Sequence, residues 1–159
     1  MIKVSFQPHT LEFKQPSGTS RGILKVKKVW VISVFDTEKP DIVGTGECNP
    51  LVGLSIDDVP EYEDKLKDVC QNFSDYEDDL YEKLIDFPSI YFGVEMALLD
   101  LKRGGNKVYF NAPFVKLKQP IKINGLIWMG EHEFMHQQIQ EKLDQGFSCI
   151  KLKIGAIDF

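Results

Sequence analysis

Residues 121–154 read IKINGLIWMGEHEFMHQQIQEKLDQGFSCIKLKI, and changes of rhythm within them decide the fold. Residues 121–129 are mostly apolar, interrupted by Gly125, the composition of a strand. Residues 131–145 are largely polar, with Phe134 or Met135, Ile139 and Leu143 at helical spacing, and Gly146 stops them. That pattern predicts a helix of about four turns. Residues 147–154 return to strand composition. A strand, a helix and a strand of these lengths make one βαβ unit, which implies parallel strands and a right-handed crossover. A parallel pair cannot bury its sheet alone. The unit is therefore expected to belong to a larger parallel sheet of which this chain carries only the start.

Upstream of it the grammar is different. Pro88 opens a helix in which Phe92, Met96 and Leu99, with neighbouring Val94, Leu98 and Leu101, make most of the circumference apolar, and Gly104-Gly105 ends it. Ser74-Asp75-Tyr76-Glu77 has the form of a capping box, with Ser74 as N-cap of a short helix reaching Leu84. Pro60 sits in the first turn of an earlier helix, with Asp57 or Asp58 as cap and Tyr62, Leu66, Val69, Cys70 and Phe73 on one face.

The first 48 residues read as strands. Ile2, Val4 and Phe6 alternate, and Leu11 and Phe13 continue after Pro8. Gln15 to Ser20 has loop composition. Leu24, Val26, Lys28, Trp30, Ile32 and Val34 share one face of a second strand, and residues 42–48 form a third. The expected architecture is an α+β domain over 1–114, a three-stranded antiparallel meander plus helices, followed over 115–159 by one βαβ unit.

Bulk properties exclude several function classes. A net charge of −5 and a pI of about 5.2 argue against nucleic-acid binding. No apolar run is long enough for a bilayer-spanning helix, and the first residues lack the apolar core of a signal peptide, so a cytoplasmic protein without a membrane partner is expected. Cys48, Cys70 and Cys149 are odd in number and far apart, the pattern of small buried apolar residues rather than of disulfides or a zinc site.

Several segments carry a family resemblance. Gly44-Thr45-Gly46-Glu47-Cys48, Leu51-Val52-Gly53-Leu54-Ser55, Phe87-Pro88-Ser89 leading into Glu95-Met96-Ala97-Leu98-Leu99-Asp100-Leu101, Ile123-Asn124-Gly125-Leu126-Ile127 and Lys151-Leu152-Lys153-Ile154-Gly155 occur in that order over nearly the whole chain. In kind and order they resemble the enolase superfamily, and the resemblance implies an α+β N-terminal capping domain over 1–114 followed over 115–159 by the first βαβ unit of an incomplete TIM-type (β/α) barrel. Gln15 to Gly22 and Gly53 to Asp58 look most like its o-succinylbenzoate synthase group. Dipeptide epimerases and muconate-lactonising enzymes share the same KxK plan and are the alternative.

Residues two apart on a strand point to the same side, so Lys151 and Lys153 share one face while Leu152 and Ile154 share the other. A KxK on a strand is most often a solvated face, and Lys25-Val26-Lys27 and Lys116-Leu117-Lys118 repeat it; the βαβ context and the following glycine set the last pair apart. Inside a barrel, desolvation and a like charge nearby favour the neutral amine, the form that accepts a proton.

The resemblance implies that Lys153 is base and then acid and that Lys151 supports it electrostatically. The implied reaction is syn dehydration of 2-succinyl-6-hydroxy-2,4-cyclohexadiene-1-carboxylate to o-succinylbenzoate, in menaquinone biosynthesis. It also implies a Mg2+ ion whose ligands are expected beyond residue 159, together with a second catalytic lysine, so these 159 residues alone are not expected to turn over. Two cap loops, Ser20-Arg21-Gly22 and Gly53-Leu54, match by position those that close over a small-molecule carboxylate substrate, with Arg21 able to pair with the carboxylate. A homo-oligomer is left open.

One motif competes. His132-Glu133-Phe134-Met135-His136 fits the zinc-protease pattern H-E-x-x-H. The residues after His136 offer no separate third ligand, and Gln137, Gln138 and Gln140 give the helix a polar continuation. The expectation is a solvated pair of histidines on an outer helix. A stand-alone interaction module is the non-enzymatic alternative, and an unpaired parallel strand at its end argues against it.

Overall fold

The computed structural model describes residues 1–19, 22–117 and 119–153. The chain forms two compact units. One comprises Met1–Thr10 with Lys28–Val115, the other Leu11–Lys27 with Lys116–Phe159.

A three-stranded sheet has the order β1 (Ile2–Thr19), β2 (Gly22–Asp36), β3 (Lys39–Cys48), with residues 2–10, 28–36 and 39–48 of it in the first unit. β2 and β3 pair antiparallel, Trp30 opposite Cys48 and Val34 opposite Gly44, with the register shifting at Phe35 and Asp36 beside the turn. This is the expected meander, with one difference. Gln15 to Thr19, read as loop from composition, continue β1. Turn-forming side chains do not stop a strand that has a partner for its backbone. The apolar stripe of β2 is buried at Trp30, Ile32 and Val34, whereas Leu24 and Val26 farther along it are exposed.

Helices α1 (Tyr62–Gln71), α2 (Leu80–Lys83) and α3 (Pro88–Lys102) follow. Tyr62, Leu66 and Val69 of α1 and Phe73 just beyond it join Trp30, Ile32, Val34, Leu84, Ile90 and Val94 in one core. Two expected caps are absent. Asp57 and Asp58 do not cap α1, whose N-cap is Glu61 without a side-chain bond; both aspartates are engaged elsewhere, as described below. Ser74 is no N-cap. It lies inside a short 3-10 turn, Phe73–Asp75, because burial of Phe73 holds the chain in a tighter turn before α2 begins.

α3 lies against β3, and glycines set the distance. A Cβ on Gly46 would sit 1.9 Å from the Gly93 carbonyl oxygen, and one on Gly44 2.0 Å from that of Ala97. This approach turns Ile90, Gly93, Val94, Ala97 and Asp100 inward. It also corrects the expected face, since Phe92 is exposed and Met96 and Leu99 are half-buried. Asp100 is fully buried. It accepts hydrogen bonds from the Thr45 amide (2.9 Å), the Thr45 hydroxyl (3.2 Å) and the Lys107 amide (2.6 Å), tying β3 and the segment after α3 to the helix.

The second unit holds the βαβ. β4 (Gly125–Ile127) pairs parallel with β5 (Ile150–Leu152), and α5 (His132–Asp144) lies between them in sequence. A short helix α4 (Pro113–Leu117), unmarked by any clear sequence signal, precedes them. The strands are shorter than composition suggests, and Ile154, expected in β5, lies outside the described residues. Gly125 and Ile127 are buried while Leu126 is half-buried, so β4 alternates as a strand with unequal faces. Of α5, Met135 is buried and Ile139 half-buried, but Phe134 and Leu143 are exposed. Of the cysteines Cys48 is buried, Cys70 half-buried and Cys149 exposed. Cys149 precedes β5 rather than packing within it, which corrects its expected burial.

Candidate active site

Strand register fixes which side chains share a face. Gly125 lies opposite Ile150, Leu126 opposite Lys151 and Ile127 opposite Leu152. Alternation then puts Gly125, Ile127, Ile150 and Leu152 on one face and Leu126, Trp128, Lys151 and Lys153 on the other. α5 covers the first. A Cβ on Gly125 would come within 3.1 Å of the Lys142 Cβ of α5 and 3.2 Å of Ile150 Cδ1. The two lysines thus stand on the face away from the helix.

The ladder carries on past β5, because the Lys153 amide donates to the Ile127 carbonyl at 3.1 Å. Lys151 is exposed and Lys153 half-buried. The Lys153 Nζ lies 3.9 Å from the centroid of the Trp128 ring, well within cation–π range. Trp128 is itself held from α5. Its amide donates to Gln138 Oε1 (3.0 Å), and Gln138 Nε2 donates to its carbonyl (3.1 Å). One side-chain amide thereby fills both backbone positions just where β4 ends. The sequence reading missed Trp128, although its period-two spacing from Leu126 was a signal.

In the first unit the loop after β3 is built by its own polar groups. The Leu51 amide donates to Ser55 Oγ (2.9 Å), the Ser55 amide to the Leu51 carbonyl (2.9 Å) and the Gly53 amide to Asp58 Oδ2 (2.7 Å). Gly53 has φ +69°, a left-handed conformation that glycine adopts without strain. The turn presents apolar side chains to solvent: Val52 is 82%, Leu54 51% and Ile56 72% exposed.

Asp57 roots this loop. Its Oδ2 accepts from the Ser89 amide (2.8 Å) and hydroxyl (2.6 Å) in the first turn of α3, and Ser89 Oγ lies 2.6 Å from the Tyr62 hydroxyl. The carboxylate caps α3 from 32 residues upstream, at the end where the helix dipole favours negative charge. Its Oδ1 is buried with no hydrogen-bond partner among the described residues. Burial pushes the Tyr62 hydroxyl pKa well above its ordinary value, so Tyr62 stays a neutral hydrogen-bonding group.

Of the other expected substrate contacts, Ser20 and Arg21 lie outside the described residues. Gly22 opens β2 with φ +132°. His132 and His136 are exposed on α5 with ring centroids 4.5 Å apart. Among the described residues no set of three or more His, Cys, Asp or Glu side chains is grouped to hold a metal ion. Among them, too, no helix is long and apolar enough to cross a membrane.

Residues 19–101, more than half of the chain, match the family described as MenC, N-terminal domain. This chain belongs to the MenC family. A curated relative, the o-succinylbenzoate synthase of Desulfotalea psychrophila, is 36% identical over 189 aligned positions, which take in 99% of this chain and 50% of the relative. The crystal structure of MenC from that organism superposes with a TM-score of 0.73 at 30% identity, covering 96% of this chain and 49% of its own. An o-succinylbenzoate synthase structure from Thermosynechococcus elongatus, complexed with Mg in its active site, matches with a TM-score of 0.67 at 18% identity, over 98% of this chain and 44% of that one; it speaks to the fold. The chain thus spans about half the length of the MenC relatives it matches. The meander-and-helix cap followed by a parallel βαβ is the enolase-superfamily arrangement expected from the sequence. Membership of the MenC family also removes the zinc-protease reading of the two histidines.

Proposed function

We propose that this chain is the N-terminal part of an o-succinylbenzoate synthase that dehydrates 2-succinyl-6-hydroxy-2,4-cyclohexadiene-1-carboxylate. The observation that carries this reading is the pair Lys151 and Lys153 on the sheet face away from α5, in a chain of the MenC family.

In this reading the neutral amine of Lys153 takes the proton from the ring carbon bearing the carboxylate and becomes an ammonium. It then gives that proton to the departing hydroxyl on the same side of the ring. Water leaves, the ring becomes aromatic, and Lys153 is a free amine again, so the cycle is redox-neutral and needs no further co-reactant. The Lys151 ammonium supports the carboxylate as negative charge moves onto it. In this reading the substrate loops implied by the family are Ser20-Arg21-Gly22 and Gly53-Leu54, with Arg21 pairing with a substrate carboxylate.

Mg2+ belongs to this reading through the family, where it supplies electrostatic stabilisation of a carboxylate gaining charge. The described residues offer no grouped ligands for it, and no step above passes through it.

The test is turnover by the gene product as encoded, followed by the ultraviolet absorbance of the aromatic product. Lys153→Ala should lower kcat by at least ~10³-fold, within the range general acid–base groups contribute. Normal turnover by that variant removes Lys153 from its role. Epimerisation of a dipeptide without any aromatic product favours the epimerase alternative.

A further inference from the structure

We propose that Trp128, clamped by Gln138, is the positioning residue that holds Lys153 while it carries the substrate proton. The inference rests on the synthase reading and adds a residue to it.

The chemistry makes a particular demand on Lys153. The same nitrogen takes a proton and then gives it to the hydroxyl leaving from the neighbouring ring carbon, so between the two transfers it is an ammonium on a flexible four-carbon stem. An ammonium that swings into water before the second transfer breaks the cycle. What it needs is a nearby group that attracts the charged form without accepting its proton. An indole face is such a group, since its π quadrupole attracts a cation and offers no basic lone pair. Trp128 provides that face at 3.9 Å from Nζ.

Three features argue that the contact is built in. Trp128 stands across the strand pair from Lys153, one residue beyond the Ile127–Leu152 pair. The Lys153 backbone is fixed by its hydrogen bond to Ile127, the residue before Trp128. The Trp128 backbone is fixed at both polar groups by Gln138, which also donates to the Phe134 carbonyl at 3.4 Å, so α5 holds the platform in place. The backbone on either side of the ring–ammonium contact is therefore held, at Lys153 by Ile127 and at Trp128 by Gln138 of α5. Lys151, exposed, is given no ring contact of this kind among the described residues.

Two measurements test this on the gene product as encoded. Residues 1–159 hold Trp30 and Trp128, and the indole N–H resonance of the gene product that disappears in Trp128→Phe belongs to Trp128. Lys153→Met should shift that resonance and Lys151→Met should leave it in place. In steady-state kinetics, Trp128→Leu should lower kcat by about 10- to 100-fold with KM within about twofold, the cost of a misplaced catalytic group. Trp128→Phe, which keeps an aromatic face, should recover most of that loss, and Gln138→Leu should move kcat in the same direction as Trp128→Leu. An indole resonance indifferent to Lys153→Met overturns the assignment, as does a rise in KM at unchanged kcat, which would make Trp128 a substrate contact. No turnover by an unmodified gene product that extends past residue 159, supplied with Mg2+, overturns the synthase reading, and with it the catalytic part of this one. The indole shift separates the two failures, because it reads the Trp128–Lys153 contact whether or not the protein turns over.

Discussion

Asp57 shows how much one side chain can carry that composition does not disclose. A carboxylate next to a proline-led helix reads as a local cap, yet this one reaches Ser89 and closes the N-terminus of α3 instead. The partner lies 32 residues away, and no local pattern encodes that distance. Replacing Asp57 by Ala leaves the Ser89 amide and hydroxyl without their acceptor in a buried site, so a loss of about 1–3 kcal/mol is expected. Ser89→Ala, which spares the amide contact, should cost less. Chemical denaturation of the two variants gives the comparison, and equal stability of Asp57→Ala and the parent would rule out the cap.

The thiols allow a second expectation at this scale. Burial raises the Cys70 pKa to about 11 and pushes that of Cys48 higher still. Cys149 is exposed. Because the thiolate is the nucleophile, an alkylating reagent near pH 8 should label Cys149 first, Cys70 slowly and Cys48 only on unfolding. Labelling of Cys70 should accelerate as the pH climbs towards 11. The folded chain holds the Cys70 proton more tightly than the unfolded chain does, whose thiol titrates near 9.0. Stability should therefore fall as the pH rises from about 9 towards 11. Mass-spectrometric mapping of the labelled peptides decides the order, and early labelling of Cys48 would contradict its burial.

At the scale of elements, the meander, α1, α3 and the βαβ were legible because each rests on a period, two for strands and 3.6 for helices, whereas the helix expected from Ser74 starts only at Leu80. The face that α3 buries was not legible. Phe92, Met96 and Leu99 outweigh Gly93 and Ala97 on any hydrophobicity scale, but the helix is drawn in where side chains are smallest, and β3 answers with Gly44 and Gly46. Sheet–helix distance decides this contact, and residue size at two facing positions encodes it only once the pairing is known. Gly46→Ala should therefore be among the most damaging single changes available, since its methyl meets a backbone oxygen that cannot turn aside. A loss at or above ~3 kcal/mol, the top of the usual overpacking range, is expected. Gly53→Ala strains only an exposed turn and should cost about 1 kcal/mol. Thermal unfolding of the pair measures the contrast, and a Gly46→Ala variant melting close to the parent would show that α3 can shift outward. The candidate site divides along the same line. Lys151 and Lys153 declare themselves by spacing within one strand, whereas the spacing of Trp128 from Leu126 gives only its face, and the register of β4 against β5 is what sets it beside Lys153.

For the molecule as a whole, the two units differ in how they are stabilised. The first has an extended core with Ile32, Val34, Leu66, Val69, Leu84, Ile90 and Val94 fully buried. The second has a parallel ladder of three residue pairs, with Ile127 and Met135 its buried hydrophobic side chains among the described residues, while Ile121, Ile123, Phe134, Leu143 and Leu152 remain exposed. A two-stranded sheet with one covering helix is marginal by itself. Opening free energy should follow this asymmetry, because local unfolding is cheapest where few apolar contacts must be broken. In amide hydrogen exchange, the strand amides of β2 and β3 around Ile32 and Thr45 and those of α3 around Val94 should exchange roughly 100-fold more slowly, or slower still, than those of β4 and β5. Gln138→Leu, which removes the clamp on Trp128, should speed exchange around β4 and leave α3 untouched. Equal protection of the βαβ and the cap would mean that the second unit draws stability from a source other than its own packing, and the exposed apolar residues of α5 and β5 would then be the first place to look for what covers them.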